Sequence, residues 1–316
     1  MLRSPNAARP RRDQAPARAS IVIFAAGRDW HTAKLTGAFA RQNVETVVMR
    51  LEQCAFDTDA RFGLRLGGFS DLPDGVLVKN VSGGSFESVT RRLGVLHALR
   101  TLGIPVWNDA TAIERCVDKS MTTFLLTQAG LPVPQSWTVE GEEAARSVVA
   151  AETAAGPLVL KPLFGSQGRG LVLVRGLGDL PPGDALGGVF YLQRFVGGAG
   201  PRHHDFRIFV VNGEALAAMR RQGTTWITNL KQGGSPSAVP LDAELKGLAG
   251  AAAAAVGAIY CGVDILRAHD GTPYVLEVNS MPAWSGLQKV APIDIADALA
   301  ESFCGALYGR RQRQVT

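Results

Sequence analysis

The chain has little cysteine and no long apolar run. Its four cysteines stand far apart, form no CxxC pair and have no histidine at metal-ligand spacing, so the sequence favours neither a disulfide scaffold nor a zinc module. The longest uncharged stretch, residues 247–263, consists mostly of alanine and glycine, and no charged segment followed by an apolar one opens the sequence. We therefore expect no signal peptide, no membrane span and no membrane partner, and the cysteine usage predicts a reducing, cytoplasmic location.

Lysine is scarce as well, since only seven of the 33 basic residues are lysines, and the excess positive charge is confined to the chain ends. Residues 1–20 carry a charge of +4 and residues 309–316 a charge of +3, so the net charge of +5 leaves −2 for the rest. Such tails have almost nothing to bury, which predicts a disordered basic tail over residues 1–19 and a basic tail over residues 309–316. A nucleic-acid binder would need basic residues on one folded face with aromatic residues between them, so nucleic acid is disfavoured as a partner.

The chain does have enough apolar residues, 46% of 316, to form large cores, and this excludes disorder along its whole length. Short apolar runs alternate with segments of helical length over residues 20–107, which predicts an open α/β domain. Its predicted strands are 21–25, 44–49 and 76–79, and its predicted helices are 30–41 and 86–103. Further along we expect helix over 108–130, an extended linker at 131–134, three strands within 156–196, and a strand-rich region over 204–308 with an alanine-rich helix and a C-terminal helix.

A glycine-rich segment, Gly165-Ser-Gln-Gly-Arg-Gly170, stands between two apolar runs. Glycine lets a backbone approach an anion closely, so a hairpin loop of this kind can lay its N–H groups over phosphates, with Lys161 as a nearby point charge. No GK[ST] follows and the next element is a strand, so the segment is neither a Walker loop nor a Rossmann turn. Taken alone, it fits a mobile surface hairpin as well as a flap over phosphates.

A second hairpin places two carboxylates opposite each other. Residues 262–267 and 273–279 form two predicted strands around an Asp270-Gly271 turn, and a two-residue turn sets Asp264 across from Glu277, with Asn279 on the same face. Facing carboxylates repel, whereas Mg²⁺ prefers oxygen ligands from a few carboxylates and phosphates. The hairpin therefore favours a metal-nucleotide site over a set of solvent-facing polar residues.

Seven motifs occur in an order that resembles the ATP-grasp carboxylate-amine ligases, and within them the RimK-type α-L-glutamate ligase branch. The motifs are Asp118-Lys119, Val159–Pro162 with the glycine-rich segment, Gln193–Val196, Asp205–Arg207, Trp226–Asn229 with Gly233-Gly234, Gly262–Leu266 and Glu277–Asn279. Each motif alone is loose, but seven in order are specific. The resemblance covers residues 108–300 well and residues 20–107 in outline.

The resemblance implies an α/β chain with the α+β ATP-grasp fold. The N-terminal open α/β domain, residues 20–107, would be followed by two α+β subdomains that clamp ATP. These are a central subdomain with the glycine-rich flap, residues 108–192, and a C-terminal subdomain with the metal site, residues 193–308.

The resemblance also implies roles for individual residues. Those matched to nucleotide binding are Lys119, Lys161, Gly165, Ser166, Gln167, Gly168, Gln193, Arg194, Phe195, Val196 and Asp205. In this set the lysines match a phosphate-neutralising pair, although a lone Lys119 would also fit a solvent-facing helix, and residues 193–196 match a hinge whose main chain contacts adenine. Asp264, Glu277 and Asn279 match the ligands of Mg²⁺ or Mn²⁺. Glycines follow the hinge where the family often has an acidic residue for the ribose.

The residues matched to catalysis are Arg207, Arg220 and Asn229, which in the family surround the reacting carboxylate and the transferred phosphoryl group. Arg220 and Arg221 are adjacent on a predicted strand and point to opposite faces, so only one can face the site, and we predict Arg220. His203 and His204 have no carboxylate at ligand spacing, so we expect them to be structural or solvent-facing.

The implied function is the ATP-dependent joining of an amino acid, L-glutamate, to an acceptor carboxylate through an acyl phosphate, with ADP, phosphate and an amide as products. The acceptor would be a coenzyme or pterin-type small molecule or a protein C-terminus. Two alternatives stay open: a different amine, such as D-alanine or a neutral amino acid, and a non-catalytic nucleotide-binding module. The sequence also leaves open whether the chain forms a homo-oligomer.

Overall fold

The structure, a computed structural model, describes residues 18–165, 167–197 and 203–315. The predicted N-terminal tail, apart from its last two residues, lies outside the described residues, and so does Ser166 of the predicted flap. Within the described ranges, no helix is long and apolar enough to cross a membrane. The cytoplasmic location stays a prediction.

A four-stranded parallel sheet forms the centre of the N-terminal domain. The elements are β1 (Ser20–Phe24), α1 (Trp30–Arg41), β2 (Glu45–Met49), β3 (Cys54–Phe56), β4 (Leu64–Leu66), β5 (Gly75–Val78), α2 (Phe86–Thr101) and β6 (Val106–Trp107). The strand order is β2-β1-β5-β6, while β3 and β4 form a separate antiparallel pair. Helix α1 begins where Asp29 accepts a hydrogen bond from the Thr32 N–H at 2.8 Å. The predicted strands and helices of this domain are confirmed, and the β3–β4 pair is an addition that the sequence did not predict.

Three helices and an antiparallel sheet follow. They comprise α3 (Ala110–Val117), α4 (Lys119–Gln128), β7 (Ser136–Glu140), α5 (Glu142–Glu152), β8 (Leu158–Lys161), β9 (Val172–Val174) and β10 (Val189–Arg194), with the sheet order β7-β10-β8-β9. The helix predicted over 108–130 is divided at Asp118, whose carboxylate accepts from the N–H of Ser120 and so caps α4. The three predicted strands are confirmed, β7 and α5 were not predicted, and the predicted boundary between residues 192 and 193 falls inside β10.

A five-stranded antiparallel sheet forms the C-terminal part of the chain. The elements are β11 (His203–Val211), β12 (Glu214–Gly223), β13 (Ser235–Ala238), α6 (Ala243–Val256), β14 (Tyr260–Arg267), β15 (Pro273–Asn279), α7 (Ser285–Gln288) and α8 (Ile295–Val315), with the order β13-β12-β11-β14-β15. The predicted alanine-rich helix is α6, and it covers one face of the sheet, where Ile208 and Val263 are buried beside Ala249 and Ala253. The other face lies partly against the N-terminal domain and partly in a cleft.

One hydrophobic core joins the N-terminal domain to the C-terminal sheet. It contains Phe39 and Trp107 from the N-terminal domain, Phe209 and Tyr260 from the sheet, and Phe303 from α8. Helix α8 continues to Val315, so residues 309–315, predicted as a basic tail, extend the last helix instead, while Thr316 lies outside the described residues.

Candidate active site

A cleft of about 300 Å³ lies between the central sheet and the C-terminal sheet. Its walls come from the ends of β8 and β10 on one side and from β11, β12, β14 and β15 on the other. Most predicted site residues line it: Lys119, Lys161, Gly165, Gln167, Gly168, Gln193, Arg194, Phe195, Val196, Asp205, Asn229, Asp264 and Glu277. Arg207, Arg220 and Asn279 are not part of the lining that the described residues form.

The two lysines predicted to contact phosphates are half-buried in this cleft. Lys161, at the end of β8, donates from Nζ to Oε1 of Gln193 at 2.6 Å. Lys119, the first residue of α4, donates at 2.9 Å to the carbonyl oxygen of Gly165, where the glycine-rich loop begins. Burial lowers the pKa of Lys161 to about 8 and also lowers the pKa of Lys119, although the Glu277 carboxylate opposes this effect on both. The cleft therefore holds two cations that a bound polyanion would stabilise.

The glycine-rich loop joins the antiparallel strands β8 and β9, as predicted for a flap. Gly168 has a φ of +70°, and a Cβ added there would lie 2.5 Å from Oδ1 of Asn229. Further contact comes from Gln232, whose Nε2 lies 3.5 Å from the carbonyl oxygen of Gln167. The loop thus packs directly on the segment that carries Asn229, and only glycine at position 168 permits this approach.

The predicted hinge, residues 193–196, offers the cleft more main chain than side chain. The Arg194 guanidinium donates to the Glu152 carboxylate at 2.6 Å and to the carbonyl oxygen of Gly156 at 2.7 Å. These hydrogen bonds hold the Arg194 side chain against the end of α5. The Val196 N–H has no hydrogen-bond acceptor within the part of the chain that the structure describes. This arrangement leaves the main chain at the end of β10 for a ligand, as the prediction requires.

A network of two arginines and two aspartates lies on the sheet face that forms the cleft floor. The Arg207 guanidinium donates to both carboxylate oxygens of Asp264, with a distance of 2.7 Å from Nη2 to Oδ2. Arg221 donates from Nε to Oδ1 of Asp205 at 2.7 Å, and its Nη2 lies 3.0 Å from Oδ2 of Asp264. Burial raises the pKa of the Asp264 carboxyl, but the two arginines outweigh it and hold that pKa below its usual value. The buried charges are therefore paired.

Arg221, not Arg220, faces the cleft, and this corrects the predicted choice between them. Arg221 is 3% exposed and lines the cleft, whereas Arg220 is exposed on the other face, where its Nε lies 3.3 Å from Oγ of Ser237. Asp205, predicted to contact the nucleotide, does line the cleft, but its two carboxylate oxygens accept from Arg221.

A β-bulge causes this difference. Next to the tight turn at 212–213, Val211 pairs with Glu214, and that register would place Asp205 opposite Arg220. A register shift further along β11 and β12 moves the later pairs by one residue, so Asp205 lies opposite Arg221. Bulges re-aim side chains in this way, and turn residues alone do not reveal them.

The predicted pairing of Asp264 with Glu277 is confirmed, although the loop that joins their strands differs from the prediction. Arg267 pairs with Pro273 across a loop of residues 268–272, and that register alone would place Asp264 opposite Leu276. A second bulge shifts the register between Asp264 and the loop, which restores the pairing with Glu277.

The two facing carboxylates are each balanced by cations. Asp264 pairs with the two arginines, and Glu277 lies close enough to Lys119 and Lys161 to raise the pKa of both. Among the described residues, no three His, Cys, Asp or Glu side chains gather as a metal site, so a cation here would need a further oxygen donor. Asn279 lies two residues beyond Glu277 on β15, and its Nδ2 is buried with no hydrogen-bond partner in the described part of the chain.

Several cleft side chains make contacts that the sequence did not predict. The Gln193 side chain fixes Lys161 and also donates from Nε2 to the Tyr191 hydroxyl at 3.0 Å. Trp226 lines the cleft, and its ring packs edge-on against Phe195 with the centroids 5.9 Å apart. The sequence predicted Gln193 as a hinge residue that contacts the nucleotide through its main chain and Trp226 only as a motif member, because neither side chain carries a charge that would point to phosphate. His203 and His204, predicted to be structural or solvent-facing, also line the cleft.

The strand-flap-strand unit, the paired lysines and the facing carboxylates define the chain as an ATP-grasp ligase. The sequence of residues 116–303 matches the RimK-like ATP-grasp domain. The chain is 33% identical over 287 residues to the tetrahydromethanopterin:α-L-glutamate ligase of Methanococcus maripaludis, covering 88% of this chain and 96% of that protein. The chain belongs to the RimK-like ATP-grasp family, which confirms the predicted resemblance.

Further relatives and solved structures agree with this membership. The tetrahydromethanopterin:α-L-glutamate ligase of Methanocaldococcus jannaschii is 37% identical over 244 residues, which cover 74% of this chain and 80% of that protein. The ATP-grasp ligase PsnB, solved with a minimal precursor, superposes with a TM-score of 0.70 at 22% identity over 92% of this chain and 99% of that one. The fold predicted from the sequence is therefore confirmed.

Proposed function

We propose that the chain uses ATP and Mg²⁺, or Mn²⁺, to join L-glutamate to the carboxylate of an acceptor. The observation that carries this proposal is the meeting of Lys119, Lys161, Asp264 and Glu277 in one cleft beneath a glycine-rich loop. The partial burial of two lysines costs free energy in the unliganded protein, as the lowered pKa of Lys161 indicates. A triphosphate would offset that cost.

The residues present fit a nucleotide with a divalent cation. Lys119 and Lys161 would contact phosphate oxygens, and the main chain of residues 194–196 would contact the adenine. Asp264, Glu277 and Asn279 supply the hard oxygen donors that Mg²⁺ prefers, and the unpartnered Nδ2 of Asn279 is a buried donor that a phosphate oxygen of the nucleotide would complete. When bound, the ion would neutralise phosphate charge and orient the phosphoryl group.

The protein's own part in the reaction is positioning, neutralisation and exclusion of water. The acceptor carboxylate attacks the terminal phosphorus of ATP and releases ADP, and the amine then displaces phosphate from the acyl phosphate to form the amide. Arg221 lines the cleft floor with Arg207 beside it, and we infer that their guanidinium donors, which Asp205 and Asp264 hold in place, stabilise the negative oxygens that form during both steps. The flap on Asn229 would keep water from the acyl phosphate, which water would otherwise hydrolyse.

The choice of L-glutamate is supported by the similarity to relatives named as α-L-glutamate ligases. For the acceptor we propose a carboxylate of a pterin-type coenzyme, because those relatives are named for tetrahydromethanopterin, with a protein C-terminus as the second candidate. A second amino-acid donor, D-alanine or a neutral amino acid, is the alternative that the assay below must exclude.

The test is ADP release with and without L-glutamate, using tetrahydropterin-type acceptors and peptides that end in glutamate. We expect ADP release to need an acceptor and Mg²⁺. The rate with L-glutamate should be well above the rate with L-alanine or L-lysine. Glu277→Gln should lower the rate by about 100-fold or more, because it removes a cation ligand and the counter-charge of two lysines. The matched variant Glu301→Gln, on the exposed side of α8, should retain the wild-type rate.

Three results would count against the proposal. Activity without a divalent cation would contradict the role of Asp264, Glu277 and Asn279. A best rate with D-alanine would withdraw L-glutamate but leave the ATP chemistry in place. ATP binding with no ADP release under any condition would favour the nucleotide-binding module.

A further inference from the structure

The strand order of the N-terminal sheet reverses between β1 and β5, and we call the space outside the carboxyl ends of these two strands the crevice. From β1 the chain first adds β2 on one side and later crosses to add β5 on the other, so the carboxyl ends of β1 and β5 lie side by side. In open α/β sheets, ligands bind outside the carboxyl ends of the strands at such a switch point. The segments that leave these two strands contain Asp29, His31 and Lys79.

Lys79 is a cation without a carboxylate partner in the described part of the chain. Its Nζ donates to the carbonyl oxygen of Pro282 at 2.8 Å and lies 5.1 Å from the ring centroid of Trp284. Burial lowers the pKa of Lys79 to about 8, although Asp29 opposes that effect. An ammonium group held in this way keeps donor capacity for a further acceptor.

Trp284 and His31 complete the wall of this crevice. Trp284 is fully buried, its ring centroid lies 4.7 Å from that of His31, and its main-chain N–H donates to Nε2 of His31 at 3.2 Å. Its indole Nε1 is buried without a hydrogen-bond partner among the described residues. A buried donor with no acceptor is uncommon in folded proteins, and a ligand oxygen would satisfy it.

A second lysine reaches the same place from the C-terminal sheet. Lys231 is exposed, and the residue before it, Leu230, packs on Gly286, two residues after Trp284. Burial lowers the pKa of His31, and the charges of Lys79 and Lys231 add to this effect while Asp29 opposes it. The Asp29 carboxylate accepts from the N–H of Thr32 at the start of α1, and its Oδ2 lies 3.4 Å from Nδ1 of His31.

The crevice lies next to the cleft. Lys231 follows Asn229 of the cleft lining by two residues. On the other side, a Cβ at Gly262 would lie 3.1 Å from Cβ of Pro282 and 3.0 Å from Cδ of Arg207, so the loop that accepts from Lys79 abuts the arginine network. A molecule in the crevice would therefore lie beside the proposed phosphoryl-transfer site.

We propose that Lys79, Lys231 and the indole N–H of Trp284 form a carboxylate-binding site for a substrate of the ligase. This inference rests on the proposed function, since it names the place where one of the two carboxylate-bearing substrates is held. The shared chemistry is a carboxylate beside an aromatic wall. The two possible sources are the amino acid and the acceptor.

The experiment is isothermal titration of the protein loaded with a non-hydrolysable ATP analogue and Mg²⁺. L-Glutamate and the dipeptide L-alanyl-L-glutamate are the two probes, and each is titrated into wild type, Lys79→Met, Lys231→Met and Lys246→Met. Lys246 is the matched control, because it is exposed on α6, which covers the opposite face of the C-terminal sheet. Binding of the ATP analogue is measured in the same samples.

We expect Lys79→Met to weaken the binding of one probe by about tenfold or more, and Lys231→Met to weaken that of the same probe severalfold. The affected probe identifies the substrate that the site holds, and affinity for the ATP analogue should change by less than about twofold. The exposed position of Lys231 keeps the test valid if Lys79→Met fails to fold.

Two results would overturn the proposal. In the first, Lys79→Met and Lys231→Met bind both probes as Lys246→Met does. In the second, the wild-type protein binds neither probe, because both carry the carboxylates that the site is proposed to hold. The proposed function has a separate test, since it fails if the protein releases no ADP. In that case, weaker probe binding by Lys79→Met would still support the carboxylate-binding site.

Discussion

At the scale of single residues, the main feature of the cleft is its set of charged side chains that are partly or fully buried. Lys161 is the clearest case, because its only hydrogen-bond partner among the described residues is a neutral amide, Oε1 of Gln193. Burial disfavours its ammonium form, which lowers its pKa from 10.5 to about 8. A group tuned in this way responds both to pH and to a bound anion.

The first prediction is that affinity for ATP with Mg²⁺ falls as the pH rises above 8. Phosphate contact needs the ammonium form of Lys161, so deprotonation must be reversed on binding, and affinity should fall by about tenfold between pH 7 and pH 9. Titration calorimetry at several pH values measures this change. Lys161→Met should bind more weakly and lose most of the pH dependence, and an equally steep profile in that variant would assign the titration to another group.

The same lysine predicts how stability changes with pH in the absence of ligand. Between pH 8 and about 10.5 the unfolded chain retains a proton on this lysine that the folded chain has lost, so the free energy of unfolding should rise with pH in that window. The full destabilising effect of the buried charge is present below pH 8. The advantage of Lys161→Met over wild type should therefore shrink from pH 8 to pH 10 in urea denaturation, and a constant difference would contradict the burial of the charge.

Adjacent arginines provide the next residue-scale prediction. Arg221→Met leaves Asp205 buried without its partner and should lower the free energy of unfolding by about 3–5 kcal/mol. Arg220→Met, one residue away and exposed, should change it by no more than about 0.5 kcal/mol. Chemical denaturation of both variants tests which arginine faces the cleft, and equal effects would mean that the bulge in β12 is absent in solution.

At the scale of elements, the sequence predicted the helices and strands that a pattern within their own residues identifies. Strands β1 and β5 are short, buried apolar runs, β2 is a short run rich in valine, and α1 and α2 have capping residues at their first turns, so each could be derived from its own segment. The same reasoning did not find β7, because its side chains are only partly buried and carry no clear apolar period. It also joined α3 to α4, because Asp118 ends one helix and caps the next without any glycine or proline.

The candidate site shows where local signals stop. The motifs brought most of the cleft residues together correctly, because charged residues and glycines at fixed positions reflect the chemistry of phosphates. The choice between Arg220 and Arg221 depended on a bulge, and a bulge depends on packing on both faces of a sheet rather than on the turn beside it. In the Asp264 hairpin, loop and bulge each shift the register by one residue, so their effects cancel.

The flap provides the element-scale prediction. Gly168→Ala would place a Cβ within 2.5 Å of Oδ1 of Asn229 at a φ of +70°, so the loop could no longer pack on the 226–232 segment. We expect kcat/KM for ADP release to fall by about tenfold or more while thermal stability changes little, because the loop lies outside the cores. Gly178→Ala is the matched control, since nothing lies within 4 Å of a Cβ there and its φ is ordinary. Equal loss in both variants would remove the flap from the reaction.

At the scale of the whole molecule, the N-terminal domain and the C-terminal sheet share one interior. Asn108 illustrates the coupling, because its buried side chain donates to the carbonyl oxygens of Tyr260 and Ser280, both at 2.6 Å, and accepts from the N–H of Ile259. Tyr260 in turn donates from its hydroxyl to the carbonyl oxygen of Val78, at the end of β5. These hydrogen bonds join the elements around the crevice to those around the cleft, and they would hold the proposed substrate and nucleotide sites at a fixed distance from each other.

The last prediction concerns this shared core. Phe303 of α8 is 1% exposed, and its ring centroid lies 5.5 Å from that of Phe39 and 5.1 Å from that of Trp107. A Cβ added at Gly75 would lie 2.8 Å from Cζ of Phe303, so the Phe303 ring packs directly on the backbone of β5. Phe303→Ala would leave a cavity bounded by both parts of the chain and should lower the free energy of unfolding by about 3–5 kcal/mol.

Because residues from both parts line that cavity, Phe303→Ala should still unfold in a single calorimetric transition, at a lower temperature than wild type. Phe86→Ala is the matched control, since Phe86 is 83% exposed at the start of α2 and should shift the free energy of unfolding by no more than about 0.5 kcal/mol. A separate low-temperature transition in Phe303→Ala, with the ATP cleft still able to bind nucleotide, would show that the N-terminal domain unfolds independently. In that case α8 would stabilise one domain and not the junction, and the crevice around Lys79 would lose its rigid support.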